Sequence, residues 1–79
     1  MHNHKKLTVL IQDAAQVYLK HAGSYGKMLY DLNLAFEKTI LETTLNHFND
    51  NISTSAKALG ISRTTLYKKL DLHRINYKK

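Results

Sequence analysis

Apolar and polar residues recur along the N-terminal part of the chain with a helical period. Between residues 7 and 18 the apolar side chains fall at intervals of three and four, which predicts an amphipathic helix over residues 7–21. Its apolar stripe consists of Leu7, Leu10, Ile11, Ala14, Val17 and Tyr18. The stretch AGSYG at 22–26 contains two glycines and is expected to end this helix.

The next segment, residues 27–48, has two apolar stripes rather than one. At about 3.6 residues per turn, the two stripes lie about 140° apart. One consists of Leu29, Leu32, Phe36 and Ile40, and the other of Tyr30, Leu34, Leu41, Leu45 and Phe48. We expect one stripe to pack within the subunit and the other across a homodimer, because two-fold dimers are the commonest oligomers. The dimer contact is assigned to Leu34, Leu41, Leu45 and Phe48. The alternative is that the remaining helices of the same subunit cover both stripes.

The sequence NDNIST at 49–54 is rich in residues that cap helices. Either Asn51 or Ser53 could accept a hydrogen bond from the free backbone N–H groups of a following helix. The pattern therefore predicts a short helix over about residues 53–59.

A second short helix follows after a turn. Gly60 is expected to end the first one, because a glycine adopts the left-handed conformation that other side chains resist. Ser62 is placed to cap a last helix over residues 63–73. Two short helices joined around a glycine predict a helix-turn-helix, whose second helix enters the major groove of DNA.

The last helix separates an apolar side from a basic one. Leu66 and Leu70 point inward, and Arg63 lies at the N-terminal tip, where its guanidinium could donate two hydrogen bonds to a guanine edge. Lys68 and Lys69 are placed for phosphates, which position a protein without reading sequence. The hydroxyl groups of Ser53, Thr54 and Thr65 could add contacts. Asn51 could read a base, although helix capping alone explains it.

The charge of the chain is concentrated in its C-terminal part. The protein has a formal net charge of +6, and residues 1–51 contain equal numbers of acids and of lysines. Residues 52–79 contain seven cations against the single acid Asp71. This asymmetry favours a polyanionic partner, of which nucleic acid is the first candidate and an acidic membrane or protein the second.

Other chemistries find little support in the sequence. Its 79 residues predict one small domain, which gains stability from a second subunit. There is no cysteine, no glycine-rich phosphate loop and no readable catalytic constellation. No apolar run approaches the roughly 20 residues that span a bilayer. We expect a cytoplasmic protein that is not an enzyme and has no metal, cofactor, small-molecule substrate or membrane partner.

The stretch LYDLNLAFEKTILETTLNHFNDNISTSAKALGISRTTLYKKL, residues 29–70, resembles the bacterial factor for inversion stimulation, the Fis family. Its densest part, GISRTTLYKKL, is also similar to the DNA-binding domains of nitrogen-regulator-type activators. The resemblance implies an all-α, intertwined homodimer of four-helix subunits that binds degenerate, AT-rich duplex DNA and bends it. By position, Arg63 and Asn51 match residues that approach bases, and Lys68 and Lys69 match phosphate-binding lysines. Thr65, Ser53 and Thr54 match positions beside the DNA backbone.

Two positions depart from the family on the surface expected to meet DNA. Ser62 stands where the family has an asparagine, and Tyr67 where it has an arginine. Asp71 and Leu72 also replace two lysines, so we expect fewer phosphate contacts, partly restored by Arg74 and the terminal lysines. The expected DNA-facing residues are Asn51, Ser53, Thr54, Ser62, Arg63, Thr65, Tyr67, Lys68, Lys69 and Arg74.

Together these patterns predict a single Fis-like domain. Residues 1–6 are expected to be disordered, 7–48 to form dimerisation helices, 49–73 the helix-turn-helix, and 74–79 a basic tail. The predicted function is binding and bending of DNA by a nucleoid-associated protein or transcriptional regulator. The alternative is a helical dimer whose basic face binds an acidic protein, as an adaptor or anti-activator would.

Overall fold

A computed structural model describes residues 4–21 and 26–77 of the protein. Within these ranges the chain forms four helices and no strands, which confirms the predicted all-α class. The helices are α1 (His4–Lys20), α2 (Met28–His47), α3 (Ile52–Leu59) and α4 (Arg63–Leu72). The described part contains no helix long and apolar enough to cross a membrane.

Helix α1 begins earlier than the sequence pattern predicts. Residues 4–6 were expected to be disordered, but they form its first turn, and the Thr8 hydroxyl donates to the carbonyl oxygen of His4 at 2.9 Å. The prediction is therefore wrong for residues 4–6, and residues 1–3 lie outside the described part. Most of the predicted break at 22–26 also lies outside it, and Gly26 has φ 92°.

The chain divides between Asn33 and Leu34 into two compact units. In the first unit no residue of α1 is buried, and six large apolar side chains of this helix are more than half exposed. The Tyr18 hydroxyl donates to the Asp31 carboxylate at 2.8 Å. A helix whose apolar stripe stays in contact with solvent has not found all of its packing partners.

The second unit contains the hydrophobic core. Six apolar side chains of α2, α3, α4 and the segment that follows α4 are no more than 9% exposed: Leu41, Leu45, Ala56, Leu66, Leu70 and Ile75. Ile52, Leu59, Ile61 and Tyr77 pack against this core at partial exposure. The inward direction predicted for Leu66 and Leu70 is confirmed, since both are fully buried.

This core corrects the assignment of two predicted dimer residues. Leu41 and Leu45 are each 2% exposed, because α3 and α4 pack on that side of α2. Their side chains are already covered within the subunit and cannot form the dimer contact assigned to them. Leu34 is 36% exposed and Phe48 half-buried, whereas Ile40 on the other stripe is 53% exposed.

The predicted basic tail also needs correction. Ile75 is only 9% exposed and Tyr77 packs against the core, so residues 75–77 continue the folded unit. Lys78 and Lys79 lie outside the described residues.

Three consecutive helices end in the same way. In each case an N–H group bonds to a carbonyl five residues earlier, and a residue with positive φ stands just before that N–H, the pattern of a Schellman motif. These bonds run from Asp50 to Leu45, from Ile61 to Ala56 and from Ile75 to Leu70. The left-handed residues are Asn49, Gly60 and Arg74, with φ of 55°, 76° and 55°. Such an ending turns the chain sharply, which brings each next segment back onto the core.

Candidate nucleic-acid interface

Helix α3 begins at a capped N-terminus. Asn51 has extended backbone angles, and its Oδ1 accepts a hydrogen bond from Thr54 N at 2.9 Å. Of the two residues considered as caps, the structure therefore selects Asn51. Its side chain is exposed, as are those of Ser53 and Thr54, so this end of α3 presents an amide and two hydroxyl groups to solvent. Backbone N–H groups at such an end favour a phosphate oxygen as partner.

The turn between α3 and α4 depends on Gly60. Its φ of 76° lies in the left-handed region, and its N–H bonds to Lys57 O at 3.1 Å. No heavy atom would lie within 4 Å of an added Cβ apart from chain neighbours, so glycine is required for its backbone conformation and not for space. The predicted turn residue is thus confirmed.

Ser62 caps α4 and is also bonded to Thr65. Its Oγ accepts from Thr65 N at 3.0 Å and donates to Thr65 Oγ1 at 3.0 Å. The Ser62 oxygen therefore forms the helix cap. The Thr65 hydroxyl accepts the hydrogen of Ser62, so its own hydrogen can be donated to another acceptor. Ser62 is exposed and Thr65 half-buried at the start of the helix.

The exposed surface of α4 has a basic tip and a basic outer side. Arg63 is the first residue of the helix and is exposed. Lys68 is also exposed and lies opposite Leu66 and Leu70, whose burial fixes the rotation of the helix. One guanidinium and one ammonium group therefore project from α4 at positions separated by more than one helical turn.

Tyr67, where the sequence departs from the family, faces a second aromatic ring. It is 42% exposed, and its ring centroid lies 5.8 Å from that of Tyr77 at an interplanar angle of 47°. Such a pair stabilises both rings beyond the area they bury. The contact attaches the segment after α4 to the side of that helix.

Lys69 occupies a different environment from its neighbour Lys68. Its Nζ donates to Oε2 of Glu37 on α2 at 2.9 Å, and His73 Nε2 donates to the other carboxylate oxygen at 2.7 Å. The hydrogen bonds from His73 and from Lys69 lower the pKa of Glu37 below its usual value, against a smaller opposing effect of desolvation. Lys69 thus has an intramolecular anion as partner where the sequence pattern suggested a phosphate.

Arg74 is exposed and stands just beyond the end of α4. It borders a surface cavity of about 380 Å³, and Glu42 and Asp50 also line this cavity. Arg74, one of the residues expected to face DNA, therefore shares its surroundings with two acidic side chains, which attract a guanidinium.

Sequence reasoning missed three residues that shape this site: Glu37, Ile75 and Tyr77. No local pattern marks Glu37, because its partners are 32 and 36 residues away. Ile75 did have a signal, because an apolar residue five positions after a buried one at a helix end is typical of the Schellman motif. Ala56 and Ile61 repeat the same spacing at the end of α3.

Among the described residues, no group of three or more histidines, aspartates or glutamates is arranged to hold a metal ion.

Two short helices that share a hydrophobic core, joined by a left-handed glycine and with an exposed arginine at the tip of the second, define a helix-turn-helix protein. Residues 35–72 match the family described as bacterial regulatory protein, Fis family. A Fis-like DNA-binding protein of Ralstonia nicotianae is 38% identical over 65 residues, which cover 80% of this chain and 84% of that protein. The chain therefore belongs to the Fis family. No solved structure matches it.

Proposed function

We propose that the protein binds double-stranded DNA as a homodimer and acts as a transcriptional regulator or nucleoid-associated protein. Its α4 would lie in the major groove, and the capped end of α3 would meet the phosphate backbone. The observation that carries this proposal is the exposure of Arg63 and Lys68 on α4, next to the exposed polar end of α3. The Ralstonia relative, whose name states DNA binding, supports it.

Each exposed group has a separate role in this proposal. Arg63 would donate to a base edge, which confers sequence preference. Lys68 would bind phosphate, which adds affinity without preference. Asn51, Ser53, Thr54 and Thr65 would add polar contacts to the backbone from the ends of α3 and α4.

A second copy of the chain is proposed to cover the exposed apolar residues of α1 and α2. No residue of α1 is buried, and on α2 Leu29 and Ile40 are 76% and 53% exposed. Because Leu41 and Leu45 belong to the core of the subunit, the dimer would use the opposite stripe of α2. Resemblance to the Fis family supports a dimer that bends AT-rich DNA, since the deformability of such sequences can be read without base contacts.

DNA binding is tested by fluorescence anisotropy of labelled duplexes, AT-rich and GC-rich, at several salt concentrations. Arg63→Ala should reduce the difference in affinity between the two duplexes, by up to about 1–3 kcal/mol. Lys68→Ala should weaken binding to both equally and reduce the slope of log K against log salt by about 1.8, one phosphate contact in each subunit. The absence of any binding at low salt would refute the proposal and would favour an acidic protein as the partner of the basic face.

The dimer is tested by sedimentation of three variants of α2. Ile40→Asp should give folded monomers, because it places a charge on the exposed stripe. Leu45→Asp should unfold the second unit, because its side chain is 2% exposed. Lys38→Asp changes the charge at an exposed position and is the control. A stable dimer of Ile40→Asp would show that this stripe is not the dimer contact.

A further inference from the structure

We propose that Glu37 competes with DNA phosphates for Lys69, and that His73 holds the Glu37 carboxylate in the position required for this competition. The inference rests on the proposed function, because it concerns which lysines of α4 are available to DNA. Of two adjacent lysines on this helix, Lys68 would be available to a DNA phosphate, whereas Lys69 would be held by Glu37.

The geometry of the carboxylate supports the competition. Both of its oxygens are used: Oε2 accepts from Lys69 at 2.9 Å and Oε1 from His73 at 2.7 Å. A carboxylate and a phosphate offer the same kind of anionic oxygen to an ammonium group, so Lys69 can satisfy only one of them fully at a time. For Lys69 to bind DNA, it must give up a hydrogen bond that it already has.

The exposure of the three side chains explains why a phosphate can replace Glu37 as the partner of Lys69. The side chains of Lys69 and Glu37 are 33% and 38% exposed, so water and a phosphate can reach the pair. Ion pairs at such exposure are weak and can be exchanged. The His73 side chain, in contrast, is only 5% exposed, so it fixes the carboxylate from the buried side. In this ion pair the Glu37 carboxylate is therefore held in place, and the Lys69 side chain is the one that can move to a phosphate.

Lys68 provides an internal comparison. It has the same chemistry, is the next residue on the helix and is exposed. No ion pair of Lys68 is found within residues 4–21 and 26–77. If the environment and not the residue type decides which lysine neutralises a phosphate, the two lysines must respond differently to the loss of Glu37.

The test is a double-mutant cycle read as the salt dependence of binding to a labelled duplex. Glu37→Gln should make the salt slope steeper by about 1.8, one more phosphate contact in each subunit of the dimer, so that affinity falls about 12-fold more between about 50 and 200 mM salt. Lys69→Gln alone should leave the slope unchanged, and in the Glu37→Gln background it should remove the gained contact. Lys68→Gln should reduce the slope by about 1.8, one contact in each subunit, in both backgrounds.

Two controls separate competition from other effects of Glu37. Glu42→Gln removes an exposed acid from the same helix, and its effect should not depend on Lys69. If Glu37→Gln loses helicity by circular dichroism, Glu37→Asp replaces it, because its shorter side chain keeps the charge but withdraws it from Lys69. If Lys69→Gln reduced the salt slope equally in the wild-type and the Glu37→Gln backgrounds, this inference would be wrong and the proposed function would stand. A wild-type protein that binds no duplex would overturn the proposed function as well.

Discussion

Replacing Ser55 by alanine should stabilise the protein. Ser55 is fully buried on α3, next to Ala56, and no hydrogen-bond partner of its Oγ lies within the described part of the chain. A buried hydroxyl without a partner costs about 1–3 kcal/mol, and alanine is also the better helix former by about 0.5 kcal/mol. The free energy of unfolding should therefore rise by at least about 1 kcal/mol, which raises Tm by about 4–8 °C for each kcal/mol in a domain of this size.

The matched control is Ser53→Ala on the same helix. Ser53 is exposed, so the same substitution removes no buried hydroxyl and should change stability by no more than about 0.5 kcal/mol. Both variants should be compared by urea unfolding at one protein concentration, because the stability of the proposed dimer would depend on concentration. The affinity for DNA should show the opposite pattern to stability. Ser55→Ala should leave this affinity unchanged, whereas Ser53→Ala should weaken it. The reasoning fails if Ser55→Ala is destabilising or no more stable than Ser53→Ala.

Three further outcomes follow from the helix ends and from Glu37. Gly60→Ala should cost about 1–2 kcal/mol of unfolding free energy in a urea titration, because alanine resists a φ of 76° although space is available. Arg74→Gly should gain about 0.5–1 kcal/mol in the same assay, because it relieves an arginine at φ 55°; a loss would show that the arginine side chain itself stabilises the core. Because His73 and Lys69 lower the pKa of Glu37, the folded state should lose stability as pH falls below the usual 4.5 of this group, through its lowered value. Glu37→Gln should lack this component, so parallel pH profiles for the two proteins would contradict it.

The local features of the fold could be predicted from the sequence because they depend on neighbouring residues. Gly60 and Ser62 have their predicted roles because capping requires one residue type and a partner within a few positions. The predicted inward direction of Leu66 and Leu70 follows from helical periodicity alone. For the same reason the boundaries of α2, α3 and α4 differ from the predictions by only one residue at most.

The failures concern contacts between distant parts of the chain. Two stripes of similar hydrophobicity on α2 do not reveal which of them meets α3 and α4. That choice depends on the left-handed residues Asn49 and Asp50, with φ of 55° and 63°, which direct the chain toward Leu41 and Leu45. Likewise, nothing near Lys69 in the sequence indicates that Glu37 will meet it.

The distribution of intramolecular partners sets an upper limit on the salt dependence of DNA binding. If all five cations of residues 52–77 bound phosphates in a dimer, log K would fall by about 9 for each unit of log salt. In the structure Lys69 is bonded to Glu37, and Arg74 lines a cavity together with Glu42 and Asp50. Within residues 52–77 the exposed cations without such neighbours are Lys57, Arg63 and Lys68.

Three such cations in each subunit limit the contribution of residues 52–77 to a slope of about −5.4 for a dimer. Anisotropy titrations of one AT-rich duplex between about 50 and 300 mM salt would measure this slope on a protein in which Lys78 and Lys79 are replaced by glutamine, with Lys68→Gln as an internal calibration of one contact per subunit. A slope near −9 for this protein would mean that Glu37, Glu42 and Asp50 release their cations whenever DNA is present. A slope near −5 would mean that the fold itself limits the affinity, because its acids neutralise part of the charge that the sequence provides.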